Sequence, residues 1–159
     1  MTDYHQKLLD HFLNPRNVGD IPNPDGFGKA FNPVNQYETD IYLQVREGRI
    51  SDIKFKSFGC VVTIAAASAL TTQLKGKTLE EIFSNKQPLN LLFIIIQNEL
   101  EVVPPENWHC PPAAAQAFLL ACHDYYKKIH DEHHVMKIEA LLKEVQSYFE
   151  KRLKEQNAQ

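Results

Sequence analysis

The order of the periodic segments along this chain is the feature that most constrains its fold. Residues 41–46 alternate between apolar and polar side chains, which predicts a strand with one buried face. A turn at 47–48 leads into a second strand over 50–57, with a bulge near 51–52, so the two strands form a hairpin. An earlier strand within 28–36 would extend this hairpin to a three-stranded antiparallel sheet.

Helical spacing dominates after residue 60 and also occurs at the start of the chain. Helices are predicted over 3–13, 61–74, 78–83, 88–100, 111–129 and 134–155. Thr2 or Asp3 is expected to cap the first helix, and Thr78 opens a capping box with Glu81. Residues 14–36, rich in Pro, Gly, Asn and Asp, are expected to form an ordered or semi-ordered arm. Strands early and helices late predict an α+β fold, with helices packed on a three-stranded antiparallel sheet and an extra C-terminal helix.

Composition and charge exclude several classes of protein. The 159 residues carry a formal net charge of −3, whereas a general nucleic-acid binder needs a basic surplus to neutralise phosphates. No apolar run reaches the ~18 residues needed to span a bilayer, and residues 1–13 lack the apolar core of a signal peptide. The 3 cysteines, an odd number without a close pair, do not indicate a disulfide framework. We therefore expect a cytoplasmic protein with free thiols that binds neither nucleic acid nor membrane.

Two of the cysteines lie where a thiolate would be stabilised. Cys60 follows the second hairpin strand and precedes a helix, and Cys110 precedes a helix that opens with two prolines. The unpaired N–H groups and the dipole at a helix N-terminus favour an anion, so such positions lower the pKa of a thiol. His109 beside Cys110 is a ligand type that zinc and iron accept. Cys122 lies in the middle of its helix, so we expect it to pack in the core. For Cys60, packing in the core stays an alternative to a functional role.

Four short segments carry a resemblance to a known family. They are residues 14–19 (NPRNVG), 55–60 (FKSFGC), 76–81 (GKTLEE) and 104–110 (PPENWHC). In this order and with this spacing, over residues 3–128, the chain resembles the NifU-like (IscU-type) iron–sulfur cluster assembly scaffolds. The resemblance implies a scaffold domain over 1–130 and a C-terminal helical extension over 131–159.

The resemblance also implies a function. Scaffolds of this type receive sulfur from a cysteine desulfurase, bind iron, build a [2Fe–2S] cluster and pass it to acceptor apoproteins. Related proteins often hold zinc at the same ligands. They turn over no small-molecule substrate, so the chain is not expected to be an enzyme. By position, Cys60 and Cys110 correspond to ligand cysteines and His109 corresponds to the neighbouring histidine ligand.

One ligand of the family pattern is absent from the chain. No cysteine precedes Cys60; alignment places Tyr37 at the family's first cysteine and Thr39 at the aspartate that follows it. Asp40 is one residue away and is the candidate that would complete the metal site, with Glu38 as another oxygen donor. A carboxylate at this position suits zinc or iron ions better than a cluster.

Other ways of completing the ligand set stay open. Cys60 and Cys110 from each of two chains could supply four thiolates in a homodimer. Alternatively, the chain carries no cluster and acts as a zinc-stabilised interaction or regulatory module of the assembly machinery. A Cys–His nucleophilic enzyme is disfavoured, because adjacent side chains such as His109 and Cys110 usually diverge and no oxyanion motif occurs. Residues 106–107 lack the basic residue that many such scaffolds have after the prolines at 104–105, so chaperone docking is not favoured.

Overall fold

The computed structural model describes residues 4–158. The first helix, α1, spans Gln6–Leu13 and begins later than predicted, because His5 caps it by accepting a backbone N–H on its imidazole. The predicted caps Thr2 and Asp3 lie outside the described residues.

The three-stranded antiparallel sheet predicted from the sequence is confirmed. Its strands are β1 (Gly26–Phe31), β2 (Glu38–Arg46) and β3 (Arg49–Phe58), paired in the order β1-β2-β3. Glu47 and Gly48 form the turn of the hairpin with φ of +51° and +73°, the left-handed conformation that suits tight hairpins. The register shifts between Gln44 and Val45, which leaves Ser51 as the extra residue of the expected bulge.

Five further α-helices follow the sheet. They are α2 (Val61–Leu74), α3 (Leu79–Phe83), α4 (Pro88–Leu100), α5 (Cys110–Lys128) and α6 (Glu132–Asn157), with a short 3-10 turn at Pro105–Asn107 before α5. The α+β fold class is therefore confirmed. The capping box predicted between Thr78 and Glu81 is present at α3. Helix α6 starts earlier than predicted because the side chain of Asp131 accepts the N–H of His134 and caps it.

Two glycines let α5 lie directly on β1. A Cβ atom at Gly28 would come within 2.4 Å of the carbonyl oxygen of Ala117 and 2.4 Å of the backbone nitrogen of Ala121. At Gly26 it would come within 2.3 Å of the Ala121 carbonyl oxygen. The backbone of β1 thus packs directly on the backbone of α5, and this close approach fixes the distance between the strand and the middle of the helix.

The segment before β1 is ordered against the sheet. The N–H of Gly19 donates to the carbonyl of Phe55 at 2.9 Å, and the N–H of Phe55 donates to the carbonyl of Asn17 at 2.8 Å. These bonds attach Asn17–Gly19 to the outer edge of β3 in the parallel direction, through a bridge between Val18 and Phe55. The N-terminal part of the expected arm is therefore an edge cover for the sheet.

Helix α6 shares the hydrophobic core with the rest of the chain. Ile138, Val145 and Phe149 are buried in it, and the Phe149 ring centroid lies 5.9 Å from that of Trp108. The boundary between 1–130 and 131–159 stays a prediction about domain organisation. Across residues 4–158, no helix is both long and apolar enough to cross a membrane.

Candidate metal centre

Cys60 lies at the junction between β3 and α2. It adopts an extended conformation, with φ of −80° and ψ of 177°, immediately before the first turn of α2. This helix is apolar on all sides and is buried along most of its length, so its N-terminus is held firmly against the sheet. The N–H groups of Val62 and Thr63 face the sulfur of Cys60, as expected where a helix start leaves donors unpaired.

Cys110 reaches the same point from the start of α5. The hydroxyl of Thr63 lies between the two thiols, with its Oγ1 3.3 Å from Sγ of Cys60 and 3.7 Å from Sγ of Cys110. Cys110 is buried, whereas Cys60 is partly exposed at the surface. Two sulfurs from distant parts of the sequence are thus brought to one hydroxyl group.

The two thiols have opposite acidities because they share a hydrogen bond. The thiol of Cys110 donates to Cys60 and is the main cause that lowers the pKa of Cys60 to about 4; Thr63 adds to this lowering, and partial burial opposes it. The same hydrogen bond, together with burial, raises the pKa of Cys110. Burial alone raises the pKa of Cys122. At neutral pH the pair therefore holds one thiolate, on Cys60, and one proton, on Cys110.

This difference predicts selective alkylation of Cys60. A pKa of about 4 keeps Cys60 a thiolate across the range from pH 6 to pH 8. Its rate of reaction with iodoacetamide should therefore stay nearly constant, whereas an ordinary thiol with a pKa of about 8.5 would speed up by more than about tenfold. Peptide mapping by mass spectrometry measures the rate at each cysteine. The urea-unfolded protein is the control and should show the ordinary pH dependence; the same dependence at Cys60 in the folded protein would contradict the assignment.

The Nδ1 nitrogen of His109 faces the thiols, and the same nitrogen is hydrogen-bonded to Asn32. Its Nδ1 lies 3.7 Å from Sγ of Cys110 and 2.8 Å from Nδ2 of Asn32. Burial lowers the pKa of His109, opposed by the charge of Cys60 and by a hydrogen bond to the backbone of Glu106. The imidazole is therefore neutral at pH 7.

Asp40 lies on the other face of the sheet. Its neighbour Ile41 points into the core, so strand alternation directs Asp40 outward, across from Lys29 in β1 and Lys56 in β3. Its Oδ2 is 3.9 Å from Nζ of Lys29, and its buried Oδ1 has no hydrogen-bond partner among the residues that the structure describes. Burial and the adjacent Glu38 raise the pKa of Asp40. The structure does not bring Asp40 to the two thiols.

Tyr37 and Thr39, which the resemblance aligns with the family's first cysteine and the aspartate after it, make hydrogen bonds that belong to the sheet and its turn. Thr39 is buried on the inner face of β2, and its hydroxyl lies 3.2 Å from that of Ser57. Tyr37 precedes β2 and is exposed, and its carbonyl accepts the N–H of Asn32. Neither position offers a thiolate or a carboxylate.

The donor set is therefore a pair of sulfurs with an imidazole held beside it. Among residues 4–158, no three or more His, Cys, Asp or Glu side chains are already arranged to bind one metal ion. Cys60 and Cys110 form a soft site suited to iron–sulfur chemistry, zinc or other thiolate-binding ions. Completing a four-ligand shell needs donors beyond these two side chains.

Reasoning from the sequence alone missed two residues of the site. Thr63 stands three positions after Cys60, a spacing that places both on one face of a helix, so this spacing was a usable signal. Asn32 contacts His109 although the two residues lie 77 positions apart, so no local sequence pattern could have indicated that contact.

Comparison with known proteins identifies the family. The model of the NifU-like N terminal domain matches residues 3–132 of the chain. The chain belongs to this NifU-like family. The match covers the sheet and helices α1 to α5, and it ends where α6 begins. The prediction of the family from its sequence segments is confirmed.

Curated relatives of this NifU-like chain are named as assembly scaffolds. It is 42% identical over 125 residues to the iron-sulfur cluster assembly scaffold protein IscU 1 of Archaeoglobus fulgidus, covering 79% of this chain and 78% of the relative. It is 37% identical over 128 residues to the IscU scaffold protein of Aquifex aeolicus, with coverage of 79% and 78%. The crystal structure of the N-terminal part of a NifU-like protein from Brucella abortus shares the fold, with a TM-score of 0.52, 15% identity and coverage of 86% and 94%.

Proposed function

We propose that this NifU-like protein is a scaffold on which an iron–sulfur cluster is assembled as cargo and from which the cluster passes to acceptor apoproteins. The observation that carries the proposal is the convergence of Cys60 and Cys110 on the hydroxyl of Thr63, in a chain whose relatives are named cluster assembly scaffolds. In this role the protein turns over no small-molecule substrate and is not an enzyme.

The two thiols have different tasks in this proposal. Cys60 is already a thiolate at neutral pH, so it binds the first iron ion without losing a proton. Cys110 releases its proton to solvent when it binds, and the hydroxyl of Thr63 then donates a hydrogen bond to one of the two sulfurs. Hydrogen bonds to the ligating sulfurs tune the reduction potential of a cluster. Two protein sulfurs leave coordination positions open, and the ligands of an acceptor protein can occupy them during transfer.

The surface beside Cys60 supports a partner that delivers sulfur, which we propose is a cysteine desulfurase. Phe31 and Phe58 flank Glu38 on the outer face of the sheet and are 53% and 77% exposed. Phe58 is two positions from Cys60 in the chain. Exposed aromatic side chains next to a reactive thiol are typical of protein–protein contacts.

Anaerobic reconstitution with ferrous iron and sulfide tests the proposal. The wild-type protein should develop thiolate-to-iron charge-transfer absorption, contain iron and acid-labile sulfide, and transfer both to an apoferredoxin. Cys60→Ser and Cys110→Ser should each lose the absorption, whereas Cys122→Ser should keep it because Cys122 lies in the core away from the site. A wild-type protein that gains no absorption would refute the scaffold role. Elemental analysis of the purified protein separates this role from a zinc-stabilised module, which would contain one zinc ion per chain that iron does not replace.

A further inference from the structure

The imidazole of His109 is held by a buried amide on the turn between β1 and β2. Nδ2 of Asn32 lies 2.8 Å from Nδ1 of His109, and Asn32 is 1% exposed. The amide cannot rotate freely, because its Oδ1 accepts the N–H of Val34 at 2.9 Å. The NH₂ group of Asn32 therefore faces the imidazole and donates to Nδ1.

This contact determines which nitrogen of His109 carries the proton. A neutral imidazole has one donor and one acceptor nitrogen, and Nδ1 is the acceptor here. The proton is consequently on Nε2, and the ring also hydrogen-bonds to the backbone of Glu106. A metal ion needs a nitrogen lone pair. The lone pair of Nδ1 is directed at Asn32, and freeing Nε2 would move the proton to Nδ1, where it would meet the NH₂ group of Asn32.

From these contacts we infer that Asn32 is a positioning residue that keeps His109 out of the coordination shell, so that the site first takes up metal with two sulfurs. The imidazole joins only when the Asn32 contact breaks. This inference rests on the proposed function, because it concerns the order in which the same site acquires its ligands.

The backbone of Asn32 also closes the turn between β1 and β2. The N–H of Asn32 donates to the carbonyl of Tyr37 at 2.9 Å, and its carbonyl accepts the N–H of Gln36 at 2.7 Å. Asn32 thus closes the turn through its backbone and contacts His109 through its side chain. Recruitment of the imidazole is thereby coupled to the conformation of residues 33–37, beside the site.

The tautomer of His109 in the metal-free protein tests the inference directly. Nitrogen-15 NMR of the imidazole should show the proton on Nε2 in the wild-type protein. Asn32→Asp keeps an oxygen for the N–H of Val34 but places a carboxylate at Nδ1, so the proton should move to Nδ1. Asn35→Asp is the matched control, because Asn35 accepts the N–H of Tyr37 in the same turn through its side-chain oxygen and should leave the tautomer unchanged.

Zinc affinity provides a second measurement. In Asn32→Ala no amide donor occupies Nδ1, the ring nitrogen that lies 3.7 Å from Sγ of Cys110, so its lone pair is free to bind zinc beside the thiols. Zinc affinity, measured by competition with a chromophoric chelator, should therefore rise by at least about tenfold over the wild type and over the matched control Asn35→Ala, since changing the outer-shell partner of a ligand typically alters metal affinity by about 10- to 100-fold. A wild-type His109 with its proton on Nδ1 would overturn the inference, as would equal zinc affinity in all three proteins. Cluster reconstitution in the wild type is judged separately, so failure of the scaffold role would not be mistaken for failure of this inference.

Discussion

Replacing Gly28 by alanine should destabilise the protein by at least about 3 kcal/mol, at the upper end of what overpacking usually costs. The new Cβ would lie 2.4 Å from the carbonyl oxygen of Ala117 and 2.4 Å from the backbone nitrogen of Ala121. Both atoms belong to the backbone of α5, so no side-chain rotation can relieve the overlap. Relief requires α5 to move away from β1, which opens the core between them. Urea unfolding followed by far-ultraviolet circular dichroism measures the free energy of unfolding.

Gly48→Ala is the matched control for this prediction. Within the described part of the chain, no atom lies within 4 Å of a new Cβ at Gly48, so the cost of the substitution comes from its φ of +73°. Holding alanine in the left-handed region costs about 1–2 kcal/mol, so this variant should be the more stable of the two. Equal destabilisation by the two substitutions would show that the helix–strand contact tolerates a side chain and that the packing argument is wrong.

Replacing Trp108 by alanine should cost about 3–5 kcal/mol of unfolding free energy, the range for removing a large buried aromatic side chain. Trp108 is nearly buried, and its ring centroid lies 6.1 Å from that of Tyr148 and 5.9 Å from that of Phe149. The guanidinium carbon of Arg152 stands 5.0 Å from the centroid of the same ring. These three α6 residues therefore hold Trp108, and with it the segment that leads into Cys110. Loss of the Trp108 ring should loosen this segment as well as the core.

The control for this substitution is Phe58→Ala, which removes an aromatic ring that is 77% exposed. It should change the free energy of unfolding by no more than about 0.5 kcal/mol, as is usual for exposed positions. Unfolding of both variants is followed by circular dichroism. Tryptophan fluorescence cannot be used, because the chain contains 1 Trp and Trp108→Ala removes it. A loss below about 1 kcal/mol for Trp108→Ala would mean that α6 does not depend on this contact.

The fold was predictable where its causes are local. The hairpin and its bulge follow from alternation and turn residues, and the start of α3 follows from the capping pair Thr78 and Glu81. Residues 14–36 were harder, because the backbone bonds that attach Asn17–Gly19 to β3 leave no periodic pattern in the sequence. The helix ends differ from the predictions by a few residues. A single capping hydrogen bond, such as that of His5 or Asp131, sets where a helix begins, and periodicity does not indicate it.

The candidate site was predictable only in part, for a related reason. Helix-start positions singled out Cys60 and Cys110 as stabilised thiols, and the resemblance to the family assigned them to one site. The partner of His109 could not be derived, because Asn32 reaches it through the three-dimensional packing of β1 against α5. The expectation that Asp40 completes the metal site came from its nearness in sequence to Tyr37 and Thr39, which the resemblance aligns with family ligands. The alternation of β2 directs its side chain to the other face.

The attachment of Asn17–Gly19 to β3 has a consequence for the behaviour of the protein at high concentration. An uncovered outer strand offers its free amides and carbonyls to any extended chain, which is a common route to fibrous self-association. Here a stretch of the protein's own backbone already occupies the N–H and carbonyl of Phe55. A foreign strand would first have to displace that stretch to pair with β3 at Phe55, so this edge of the sheet is protected there against pairing with another molecule.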